Sequence, residues 1–137
     1  MFTSVSTRAS SAYKRVAAET GVQGADAHQL VGLLFDALVQ SLNQARGALE
    51  RGEIDIKGAS LGKAVRILEE GLKPGLNLRE GGELAGNLHR LYDYGIQRLT
   101  HANLRNDGAA IAEVVGLIEP IAQSWQQIRG AIPVRGA

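Results

Sequence analysis

Between Ala27 and Glu50 the apolar positions Ala27, Leu30, Val31, Leu34, Leu38, Leu42, Ala45 and Leu49 recur in threes and fours, which sets them on one side of an α-helix. Asp26, followed three residues later by Gln29, predicts a capping box at its start, and Gly52 marks its stop. A second stripe runs through Leu61, Ala64, Val65, Leu68 and Leu72, entered from Ile56, and Pro74-Gly75 should end or kink it. After a loop over 77–82, a third stripe follows through Leu84, Leu88, Leu91, Gly95, Leu99 and Ala102. Asn106-Asp107-Gly108 then makes a turn, with Asp107 as the next N-cap.

The last stripe, Ile111, Val114, Ile118, Ile121, Trp125 and Ile128, has the alternating spacing of a coiled-coil seam. Pro120 interrupts it, lacking an amide donor and pressing on the carbonyl of Gly116, so a bend is expected rather than a break. Four amphipathic helices with short connections predict an all-α, antiparallel up-down four-helix bundle. The expected spans are 26–50, 57–73, 83–105 and 108–129, all within a single domain over 1–137. The N-terminal segment 1–20 adds a short accessory helix, and 131–137 reads as a frayed tail.

Composition narrows the chemistry. With 137 residues and 45% hydrophobic content the chain can bury a core unaided, and without cysteine it has no disulfide, thiolate ligand or cysteine nucleophile. Fifteen basic residues against 14 acidic ones give no overall field for nucleic acid, and no run of apolar residues approaches a membrane span. A soluble, cytosolic protein is expected. A di-iron bundle needs Glu-x-x-His pairs, which are absent; covalent haem attachment fails for want of cysteine, and methionine-ligated haem because the only methionine is the first residue. His89 and Asp93, one turn apart, read as a surface pair without a third ligand. His28 and His101 read as surface or boundary residues, and Gly81-Gly82 as a loop end rather than a phosphate site. No cofactor, metal or catalytic residue is expected.

Several apolar residues fall off the stripes. At 100° per residue Leu33 and Leu104 lie nearly opposite the core face of their helices, and Val39, Ile67, Ile96 and Leu117 lie on flanks. Tyr94 also falls on a flank, while Tyr92 reads as a core residue. Such residues suit apolar grooves that accept amphipathic helices of a partner. Glycines are frequent in the helices; Gly95 should serve packing, whereas Gly32 and Gly86, off the stripe, could shape a groove.

The run from Gly81 to Tyr94, above all Leu91-Tyr92-Asp93-Tyr94, resembles the signature of the FliS family of flagellar export chaperones. Ala12-Tyr13, His28-Gln29-Leu30, Leu34-Phe35-Asp36, Ile67-Leu68, Glu113-Val114 and Trp125 support it in order along nearly the whole chain. The resemblance implies a non-enzymatic helical bundle that binds the disordered C-terminal segment of flagellin, one to one as a monomer. It further implies that the bundle prevents premature polymerisation and helps deliver the client to the cytosolic domain of an FlhA-like export-gate membrane protein. Tyr13 would then either cover a groove or contact the gate. The alternatives are an adaptor for another secreted protein, or a bundle binding a metal or small molecule.

Overall fold

The computed structural model describes residues 26–127. The expected accessory helix, Tyr13 and the tail 131–137 lie outside the described residues. Helix α1 spans Ala27–Glu50, α2 spans Ile54–Arg66, α3 spans Leu78–Arg105 and α4 spans Gly108–Trp125. Helix α2 runs on through a π-helical segment, Ile67–Leu72, and a final turn, Lys73–Gly75. The described residues form an all-α, four-helix bundle and include no strand.

Local chemistry sets the ends. Asp26 accepts from the Gln29 amide while Gln29 Oε1 accepts from the Asp26 amide, closing the capping box. Gly52, at φ 74°, turns the chain out of α1 into the left-handed region. Asp107 Oδ1 accepts from the amides of Ala109 and Ala110 at the head of α4, after Asn106 has turned through φ 51°. Helix α4 continues unbroken across Pro120. The stretch 77–82, expected as a loop, contains a helical turn from Leu78; the chain then kinks at Gly82, with φ 58° and ψ −137°, before the long rod of α3.

Each helix packs on two neighbours. Helix α1 lies against α2 and α4, and α3 completes the ring against the same two, so α1 and α3 face each other across a diagonal. The connections are short, and the start of α1 meets the end of α4, so successive helices run antiparallel. Leu34, Phe35, Leu38, Leu61, Leu99 and Ile111 are among the fully buried side chains at the centre. Gly95 is buried on the core face of α3, where a Cβ would lie 3.5 Å from Leu68 and 3.8 Å from Val114.

The ends of α1 and α4 are joined by a reciprocal clasp. Trp125 Nε1 donates to the His28 carbonyl at 2.9 Å, and His28 Nε2 lies 2.7 Å from the Trp125 carbonyl. The two rings stack at 4.7 Å between centroids. His28 is therefore a boundary residue with a structural task. Gly32 belongs to the same contact, since a Cβ there would meet the Trp125 ring at an ordinary 3.6 Å; it faces the tryptophan rather than an open groove.

Other positions differ from expectation. Ile67 is buried in the core cluster, because the π-helical segment is wedged between α1 and α3 and little of its circumference stays open. Leu84 is 47% exposed although it begins the third stripe. Periodicity identifies a helix face but not how far neighbouring helices extend along it, and Leu84 lies at the rod's end beside the kink. Ile56 is also exposed, and the buried position at the head of α2 belongs to Lys57.

Candidate functional site

Helices α2 and α3 leave an open trough between them. Leu61, Gly62 and Val65 form one wall and Leu99, Thr100, Asn103 and Leu104 the other, around about 520 Å³. The wall on α2 is low because two glycines share its face: a Cβ at Gly58 would meet only Asn103, and one at Gly62 only Arg66. Ile54, 47% exposed, shares this face by spacing with Gly58, Leu61 and Val65, and so extends the trough toward the head of α2. Leu104, at 77%, is the most exposed of the large apolar residues described. Ile96, half-buried against the core, lies one turn before Leu99 and Thr100 on α3, and its carbonyl accepts from Thr100 Oγ1.

At the head of the trough Lys57 is buried, with its ammonium donating to both the main-chain oxygen and Oδ1 of Asn103. The main-chain oxygen belongs to the last turn of α3, where helix carbonyls lack intrahelical donors and favour a cation. Lys57 thereby ties the head of α2 to the tail of α3. Sequence reasoning missed it, although a lysine four residues before Leu61 and seven before Ala64 on an apolar stripe is a legible signal.

The remaining predicted residues do not converge on this trough. Val39 lines a second hollow between α1 and α4, of about 660 Å³, whose other walls are Asp36, Gln40, Glu119, Ala122 and glutamines. That hollow is larger, but its carboxylates and amides are better satisfied by water than by an apolar chain. Leu33, expected to face away from the core, is half-buried and packed against it. Leu117 is half-buried on α4, one turn from Glu113.

Tyr94 belongs to the α3–α4 face. Its hydroxyl donates to Glu113 Oε2 at 2.6 Å, and Arg98 Nε donates to the other carboxylate oxygen at 2.7 Å. The Tyr94 and Arg98 bonds hold the Glu113 carboxyl below its ordinary range, and the same bond to Glu113 pushes the Tyr94 phenol up. Asp93, in the next register, receives Lys73 Nζ at 2.6 Å and lies 3.4 Å from His89, the surface pair expected from the sequence.

Among the described residues no group of three His, Asp or Glu side chains is placed to hold a metal ion. An enclosed apolar void among Val31, Phe35, Leu72, Leu88 and Trp125 has about 20 Å³, room for a water and not for a cofactor. No helix among the described residues is long and apolar enough to cross a membrane. A four-helix bundle with an open trough lined by leucine and valine has the form of a protein that binds a partner helix in a groove.

Sequence comparison narrows the class. Residues 9–131 match the family described as Flagellar protein FliS. A flagellar secretion chaperone FliS from Salmonella typhimurium is 50% identical over 117 residues, covering 85% of this chain and 87% of that one. Flagellar secretion chaperone FliSB of Pseudomonas aeruginosa is 44% identical over 116 residues, covering 85% and 91%. The Bacillus subtilis FliS is 28% identical over 116 residues, covering 85% and 82%. The chain belongs to the FliS family of flagellar secretion chaperones, which are not enzymes.

Proposed function

We propose that this chain is a flagellin chaperone: in the cytosol it binds the disordered C-terminal segment of flagellin, blocks its premature polymerisation, and brings it to the export gate. The observation that carries this reading is the trough between α2 and α3, where the 77% exposed Leu104 and the half-buried Val65 offer apolar surface to solvent over a floor of buried Leu61 and Leu99. A disordered segment that folds on its chaperone must recover its ordering entropy by burying apolar surface. A strip walled by two antiparallel helices suits an amphipathic helix laid along it. Ile54 and Ile96 lengthen that strip. Val39, Tyr94 and Leu117 lie on other faces and would engage only a client that wraps the bundle. Leu33 and Ile67, packed into the free protein, serve such a client less directly.

Calorimetric titration with the C-terminal segment of flagellin from the same organism tests the reading, with a truncation lacking residues 1–20 in parallel. Saturable one-to-one binding with a negative heat-capacity change is expected. Tighter binding by the truncation would assign Tyr13 and its neighbours to covering the client groove, and equal binding would favour the export gate as their partner. Absence of binding by both forms would overturn the flagellin reading and point to a different secreted client.

A further inference from the structure

Lys57 is held in an unfavourable place. It is 3% exposed and stands at the head of α2, where the helix dipole disfavours a cation and burial disfavours any charge. Its ammonium donates to two neutral oxygens, both of Asn103: the carbonyl at 2.9 Å and Oδ1 at 2.8 Å. The first bond caps α3 and would suffice to join the helices. The second fixes the Asn103 side chain. With Oδ1 turned to the ammonium, the two Nδ2 hydrogens must point the other way, and no acceptor for them is found among the described residues. Asn103 is exposed and lines the trough.

None of the trough's lining residues is acidic. Arg66 reaches over Gly62, 3.5 Å from where a Cβ would stand, and has no carboxylate partner among the described residues. Of the acids nearest Arg66 along the chain, Glu69 lies 3.8 Å from Lys73 and Glu70 has a partner of its own, while Asp55 stands in the first turn of α2, at the Ile54 end of the trough. A donor amide polarised by a buried ammonium, beside an unpaired guanidinium, favours an anionic oxygen.

We infer that Asn103, oriented by Lys57, is the specificity-determining residue of the trough, its amide donating to a carboxylate on the polar margin of an amphipathic client helix. This rests on the reading that the trough receives the client. Lys57 acts through Asn103 and is a positioning residue. The pair supplies direction and selectivity that the leucine and valine walls lack, because apolar contact alone does not fix register.

The test titrates the flagellin C-terminal segment into the wild-type chain and into Asn103→Asp at low and high salt. Aspartate keeps the side chain's size and gives Lys57 a charged partner, so the melting temperature should hold or rise, while the donor becomes a repelling acceptor. Affinity should fall about tenfold at low salt, the size of one lost hydrogen bond, and the loss should shrink at high salt. Unchanged affinity, or a loss indifferent to salt, would overturn the inference. Lys57→Met should weaken binding in the wild-type background but not in Asn103→Ala, whereas a purely structural lysine would cost the same in both. Failure of the wild-type chain to bind is read before any variant and overturns the parent reading instead.

Discussion

At the scale of single residues, Trp125 and His28 hold the open end of the ring. Trp125 is 4% exposed, stacks on His28, lies near Phe35 and spends its indole donor on the His28 carbonyl. Replacing it with alanine should cost about 3 to 5 kcal/mol, the usual loss for a buried aromatic side chain. Denaturant unfolding of Trp125→Ala measures this, and an unchanged midpoint would contradict the helix register described above. The burial of Trp125 was legible from its place on the last stripe. Its partner was not, because His28 lies 97 residues away and a histidine in a first helical turn reads the same whether solvated or clasped. Lys57 was overlooked for a related reason: lysine is counted as surface unless a partner is in view, and its partner Asn103 lies on another helix.

At the scale of elements, local sequence chemistry decided most of the ends. The box at Asp26 and Gln29, the cap at Asp107 and the left-handed turn at Gly52 depend on residues within one turn of each other. Two glycines in the helices should respond oppositely to alanine. At Gly116 a Cβ would meet nothing within 4 Å, so Gly116→Ala should stabilise the protein by about 0.5 to 1 kcal/mol through the flexibility removed from the unfolded chain. Gly82 also has open space but sits at φ 58° and ψ −137°, a region open essentially to glycine alone, so Gly82→Ala should destabilise by about 1 to 3 kcal/mol. Thermal melts of the two variants check the pair, and a shift of the same sign in both would contradict the kink. The π-helical segment was not legible, since Ile67–Leu72 has the composition of an ordinary helix. Its wider turns are settled by packing between α1 and α3.

For the molecule as a whole, the ring of four helices separates two leucines that looked alike in the sequence. Leu104→Asp should leave the melting temperature nearly unchanged while weakening binding of the flagellin segment, because the side chain is 77% exposed and lines the trough. Leu33→Asp should instead lower stability by about 1 to 3 kcal/mol, since a charge would be placed against the core that Leu33 touches. Calorimetry and helical circular dichroism on both variants distinguish them. Unfolding of Leu104→Asp would show that the trough is part of the core and remove it as a docking surface.

The sequence by itself determined the helical class, the number of helices, the caps at Asp26 and Asp107 and most of the face each helix turns inward. These follow from the 3.6-residue period and from contacts within a single turn, and so need no knowledge of which helices meet. It also carried the Leu91-Tyr92-Asp93-Tyr94 signature that pointed to the family. The tertiary structure alone decided which flanks stay open. Leu104 and Leu33 both fall opposite a stripe, yet one is free and the other covered, because a trough forms only where the faces of two particular helices meet without closing. The place of Lys57 on its stripe could be read from periodicity, but its bond to Asn103 could not, since a hydrogen bond between α2 and α3 exists only once the ring has assembled.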